Sequence, residues 1–175
     1  EGETAQKLVD FMQKHGGIIT LEDLKNYEAV WRNPIVSTYK NLRVIGMPPP
    51  SSGGVCLAQI FKMIEPYELS EFGHNSLKSI QVITEAERRA YADRSFFLGD
   101  PDFNDIPIET LISAQYAAQR MENFSFEEAT PSSEVEHGVI PGYESMETTH
   151  FSIVDQFGNA VALTTTLNGA YGSKL

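Results

Sequence analysis

Thr148 and Thr166 carry the most specific chemical possibility in this sequence, because each sits in a run whose residues alternate as in a strand. The runs at 148–155 and 159–168 are separated by Gln156-Phe157-Gly158, a three-residue connection whose glycine suits a left-handed position. A β-hairpin is predicted. If Asp155 stands opposite Asn159, then Thr148 falls opposite Thr166. Alternation then gives an apolar face with Thr149, Phe151, Ile153, Val161, Leu163 and Leu167, and a polar face with Thr148, His150, Ser152, Thr164, Thr166 and Asn168. The register assumes no bulge, since a slip of one residue would carry Thr166 to the other face.

A threonine hydroxyl is a poor nucleophile near neutral pH. One solution is to make the residue N-terminal, so that its free α-amine serves as the base. That requires a cut between Glu147 and Thr148. The same hydroxyl can make the cut by attacking the Glu147 carbonyl, forming an ester that water then hydrolyses. The alternative is structural: threonines are common in strands, hydroxyl ladders stabilise sheets, and composition alone favours that view.

Other reactive side chains point to structure. Cys56 is the only cysteine and lies among Val55, Leu57, Ile60 and Phe61, which reads as a small core residue. His15, His74, His137 and His150 lack metal-ligand spacing, so no zinc or other metal site is predicted. Asp100 and Asp102 flank Pro101, a pattern that fits a turn better than a cation site. The run Pro48-Pro49-Pro50-Ser51-Ser52-Gly53-Gly54 invites a phosphate-loop reading but lacks the Gly-Lys-Ser/Thr ending, so a rigid loop leading into a helix is expected.

The elements that would position these residues follow from periodicity. Residues 4–14 read as an amphipathic helix stopped by Gly16-Gly17. Thr20 and Asp23 resemble a capping pair before a second helix at 21–27. Strands are predicted at 35–39 and 42–47 around a Lys40-Asn41 turn, then a helix at 55–64. Residues 76–97 should be the longest helix, packed through Leu77, Ile80, Ile83, Ala86 and Ala90, with Glu85, Arg88 and Arg89 on a solvated face. A weaker helical pattern covers 108–123, and 124–143 reads as a long surface loop.

Composition bounds the rest. The chain has 175 residues and globular apolar and charged fractions, and its net charge of -11 argues against a nucleic-acid partner. No apolar run approaches the ~20 residues that span a bilayer. The start at Glu1, without an initiator Met or a leader, reads as a start within a longer protein.

Several motifs, in order, resemble the γ-glutamyltransferase (γ-glutamyl transpeptidase) family. Around the candidate cut they are Tyr143-Glu144-Ser145, Thr148-Thr149-His150-Phe151-Ser152, Asp155, Gly158-Asn159-Ala160-Val161 and Thr164-Thr165-Thr166-Leu167-Asn168. Upstream they are Gly17-Ile18-Ile19-Thr20, Met47 through Gly54, Tyr91-Ala92-Asp93-Arg94 and Gly99-Asp100-Pro101-Asp102-Phe103. The resemblance implies an α+β chain, part of an αββα N-terminal-nucleophile hydrolase sandwich, with residues 1–147 ending a large subunit and 148–175 beginning a small one. It further implies Thr148 as nucleophile, Thr166 as its hydrogen-bonding partner, Asn168 as a contact for the substrate α-amino end, and no cofactor.

The implied substrates are γ-glutamyl compounds such as glutathione, with water, amino acids or peptides as acceptors. The family's oxyanion Gly-Gly pair, substrate-carboxylate arginine and remaining glutamate-pocket residues have no counterpart here, so these 175 residues are expected to be inactive alone. An uncut junction and self-association through exposed strand edges are expected, as are the remaining large- and small-subunit segments as partners. The family implies export to the periplasm or outside the cell. Related amide acylases of the cephalosporin type, or a non-catalytic binding homologue, are the rival readings.

Overall fold

The computed structural model describes residues 2–143 in full and, for 148–154 and 160–166, the backbone strands. The chain divides into two compact units, one holding the residues up to Arg32 and the other running from Asn33 to Ala170.

In the first unit, α1 (Glu3–Lys14) buries Ala5 and Val9 and ends in a paired-carbonyl stop. Gly17 N–H donates to the Met12 carbonyl at 2.7 Å and Gly16 N–H to that of Gln13 at 3.3 Å, with Gly16 at φ 78. The predicted capping pair closes α2 (Leu21–Asn26): Asp23 N–H donates to Thr20 Oγ1 at 3.2 Å and Thr20 N–H to Asp23 Oδ2 at 2.8 Å.

The second unit opens with an antiparallel hairpin of β1 (Ile35–Tyr39) and β2 (Leu42–Gly46), in which Tyr39 pairs with Leu42 around the expected turn. Lys40 takes φ 51 in that turn, and its N–H and Nζ reach Glu65 and Glu68, pinning the hairpin tip beyond the end of α3 (Gly53–Ile64). The start of α3 presses on the hairpin itself. Gly54 N–H donates to the Met47 carbonyl at 3.1 Å, and a Cβ on Gly54 would overlap that oxygen and crowd Gly46 and Ile35. The Pro-Gly run is therefore a close-packed corner. Gly54→Ala should cost about 1–3 kcal/mol through forced separation of α3 from β1, read as a lowered midpoint in denaturant with unchanged slope.

After α4 (Leu69–Phe72), α5 (Leu77–Phe97) is the longest helix, capped by Ser76, whose Oγ accepts from Ser79 N–H at 3.2 Å. The weak pattern at 108–123 resolves into two short helices, α6 (Ile108–Leu111) and α7 (Ala114–Arg120), with Ser113 capping the second. Two apolar clusters fill the interior. One joins Ile35, Val55, Ala58, Phe97, Ile106, Leu111 and Tyr116; the other joins Met63, Ile64, Val82, Ala86, Ala90, Ala117 and Met121. Cys56 is buried, as its apolar neighbours predicted, and burial pushes its thiol pKa up.

The face of α5 corrects the sequence reading. Leu77 is 73% and Ile80 51% exposed, whereas Glu85, Arg89 and Asp93 are buried beside Val82, Ala86, Ala90 and Phe97. Glu85 and Arg89 of the supposed solvated face turn inward and Arg88 stays partly exposed, while Ala86 and Ala90 are buried as predicted. The partner of this inward face is the irregular segment 124–143, which carries one turn of 3₁₀ helix at Ser132–Glu134 and runs along α5 in the same direction. The last strands, β3 (Thr148–Val154) and β4 (Ala160–Thr166), pair antiparallel as a second two-stranded sheet.

Candidate functional site

The β3–β4 ladder has the register that the spacing predicted. Val154 pairs with Ala160, Ser152 with Ala162, His150 with Thr164, and Thr148 with Thr166, without a bulge between. The two threonines thus occupy one rung at the open end of the hairpin. Glu147, Asn168 and the Gln156-Phe157-Gly158 connection lie outside the described residues.

What leads to Thr148 is a strap. Residues 124–143 lack helical or strand periodicity, yet α5 and α7 grip them at intervals. Phe126 packs edge-on against Tyr67, Phe72 and Phe124, and its carbonyl accepts from Gln81 Nε2 at 3.2 Å. Arg88 donates to the Thr130 carbonyl at 2.8 Å and to Ser132 Oγ at 3.1 Å. Arg89 donates to Thr130 Oγ1 at 3.2 Å and to Asn123 Oδ1 at 2.7 Å. Arg120 donates to the Glu136 carbonyl at 2.6 Å. The His137 ring stacks on Phe96 with centroids 3.5 Å apart, and Ile140 and Tyr143 close over the Phe97 cluster.

Two buried carboxylates organise this grip. Glu85 pairs with Arg89, which is buried with it, and with half-exposed Arg88. Burial alone would raise the Glu85 pKa, but hydrogen bonds from Arg89, Thr130 and Arg88 outweigh it and hold the carboxyl below its ordinary value. Asp93 is wholly buried and accepts from Gln59 Nε2 at 2.8 Å, Arg120 Nε at 3.2 Å and Gly138 N–H at 2.8 Å. Burial pushes its pKa up against the pull of Arg120 and these donors. Gln59 Oε1 is buried in the same region with no hydrogen-bond partner among the described residues, and burial together with the nearby Asp93 charge raises the Tyr116 pKa.

A pH dependence follows from Glu85. A carboxyl whose folded pKa is depressed contributes stability that is complete above its unfolded value and is lost as pH falls through the folded one. Thermal stability should therefore fall below the ordinary glutamate value of 4.5. Asp93, shifted the other way, acts in the opposite sense there. The clean readout is the difference between native protein and Glu85→Gln in melting temperature against pH, which should shrink as the solution is acidified.

The network escaped the sequence reading, although a signal was present. Glu85, Arg89 and Asp93 repeat every four residues with alternating charge, on the same helical face as Val82, Ala86, Ala90 and Phe97. Charges in register with an apolar stripe mark a buried pair. Among the described residues no group of three or more His, Cys, Asp or Glu is placed to hold a metal ion, and no helix is long and apolar enough to cross a membrane.

A helical layer strapped by an irregular segment that leads to a two-threonine hairpin defines a mixed α/β chain, and its likeness to known structures is specific. It superposes on Helicobacter pylori γ-glutamyltranspeptidase with a TM-score of 0.73 at 40% identity, covering 83% of this chain and 42% of that one. The glutathione hydrolase proenzyme of Escherichia coli (strain K12) is 45% identical over 173 residues, 99% of this chain and 30% of that protein. The acylase ACY 1 proenzyme of Pseudomonas sp. (strain V22) is 36% identical over 172 residues, 98% of this chain and 30% of that protein. Residues 1–175 match the pattern of the gamma-glutamyltranspeptidase family throughout, and the chain belongs to that family. It spans about 30% of the length of these curated relatives.

Proposed function

We propose that this chain carries the self-processing junction of a γ-glutamyltransferase. Thr148 attacks the Glu147 carbonyl, and the peptide C–N bond breaks as the nitrogen takes a proton. The resulting ester is hydrolysed by water, leaving a Glu147 carboxylate and an N-terminal Thr148 with a free amine and hydroxyl. Residues 1–147 then belong to a large subunit and 148–175 to a small one, within an αββα sandwich completed by the rest of the protein.

In turnover, the α-amine takes the hydroxyl proton as Thr148 attacks the γ-amide carbon of glutathione or a related compound, and returns it to the departing amine. The γ-glutamyl ester passes to water or to an amino acid or peptide. Thr166, on the same rung, steadies the hydroxyl, and Asn168 binds the substrate α-amino end. The complete protein is exported, to the periplasm or outside the cell.

The observation that carries this reading is the Thr148–Thr166 rung, found in a chain of this family. The relatives' designation as proenzymes supports the cut. The acylase likeness favours one rival, the same nucleophile acting on a different amide. Release of p-nitroaniline from a γ-glutamyl anilide by the complete protein, compared with hydrolysis of a cephalosporin-type amide, decides between them. Preference for the second substrate would replace the γ-glutamyl assignment.

A further inference from the structure

We infer that Asp93 is a positioning residue for the cut at Thr148: from the C-terminal part of α5 it fixes the strap at Gly138, and so sets the chain that leads to the scissile bond. The inference rests on the reading of Thr148 given above.

Asp93 joins three segments rather than bracing its own helix. Its oxygens accept from Gln59 on α3, Arg120 at the end of α7, and the backbone N–H of Gly138 on the strap. Arg120 in turn holds the Glu136 carbonyl, so both sides of His137 are tied to one buried ion pair. Burying a carboxylate is costly, and such pairs are better at selecting one arrangement than at adding stability. Shape makes the selection sharper. A Cβ on Gly138 would strike the Tyr116 hydroxyl and lie 2.7 Å from Arg120 Cδ, so a side chain there would displace Tyr116 and Arg120, the clamp's own residue.

Downstream of Gly138 the strap stays held. Ile140 and Tyr143 pack against the cluster of Ile35, Val55, Phe97 and Tyr116. Thr148 follows Tyr143 by five residues, a reach of at most about 17 Å even fully extended. A hydroxyl attacking its neighbouring carbonyl must be held near 3–3.5 Å, and a misplacement of about 1 Å costs on the order of 10²-fold in rate. A strap unseated at Gly138 would shift the seating of Ile140 and Tyr143 on that cluster, and with it the start of the short run that leads to the bond ten residues on. The cut should depend on the clamp even though no clamp residue reacts.

The test uses the complete protein, captured as uncut precursor, with the cut followed as first-order conversion of one band to two. Asp93→Asn keeps the side-chain shape but removes the charge, and Gly138→Ala unseats the strap from the other side without touching a charge. Both should slow the cut by about tenfold or more. A second format separates positioning from general damage: the two subunits are expressed as separate chains, the small one starting at Thr148, so that no cut is needed. There the variants should turn over within about threefold of native.

Native cutting rates in both variants would overturn the inference while leaving the nucleophile assignment standing. Equal losses in the pre-cut format would overturn it too, because the clamp would then be structural only. If native precursor itself stays whole, it is the Thr148 reading that fails. Should the buried variants not fold, Arg120→Lys, which keeps the charge but cannot hold Asp93 and the Glu136 carbonyl together, gives the answer, with slower cutting expected and an unchanged rate contradicting the proposal.

Discussion

Thr148→Ala in the complete protein is expected to leave a single uncut band and to reduce γ-glutamyl turnover by a factor on the order of 10⁴ or more. Removing the hydroxyl removes the attacking atom of both reactions, so the two losses must come together. Thr148→Ser keeps a hydroxyl and, after the cut, a free amine. It should process more slowly yet recover part of the activity, which separates chemistry from folding. Circular dichroism of the alanine variant should match the native precursor. An alanine variant that still yields two bands would place the cut, or the nucleophile, elsewhere.

The second large effect concerns stability. Glu85→Ala leaves the buried Arg89 guanidinium without its carboxylate, and loss of one member of a buried pair costs about 3–5 kcal/mol. Arg89 also donates to the Arg120 carbonyl, Asn123 and Thr130, so its misplacement would loosen α7 and the start of the strap together. The double variant Glu85→Leu with Arg89→Leu removes both charges and should regain part of the loss, since well-packed apolar residues often replace a buried pair without penalty. Denaturant unfolding of the three variants gives the comparison. An exposed pair would show only about 0–1 kcal/mol for the single change, and that result would contradict the buried network.

Much of the local structure was legible because it is written in short-range patterns. The Thr20–Asp23 cap, the Gly16-Gly17 stop, the β1–β2 hairpin and the extent of α5 each depend on residues a few positions apart. The Thr148–Thr166 rung was legible for the same reason, since alternation and a short connection constrain the register of a hairpin. The inward face of α5 was not. Charged residues are seldom fully buried, and the segment that covers Glu85, Arg89 and Asp93 has no periodicity to announce it. A strap held by side chain to backbone bonds, at Phe126, Thr130, Glu136 and Gly138, leaves almost no trace in hydropathy.

That difference bears on function. The residues proposed to react are found by strand arithmetic and resemblance, whereas those proposed to hold them in place emerge only from the packing of α5 against the strap. Arg88, Arg89, Asp93 and Arg120 hold a segment that covers both apolar clusters through Phe126, Ile140 and Tyr143 and then leads to Thr148.

The most direct measurement is N-terminal sequencing of the smaller band formed when the purified complete precursor is incubated alone. The account predicts a chain beginning Thr-Thr-His-Phe-Ser, from Thr148 to Ser152, appearing with first-order kinetics independent of protein concentration. A precursor that stays whole, or a small chain beginning at any other residue, would contradict it.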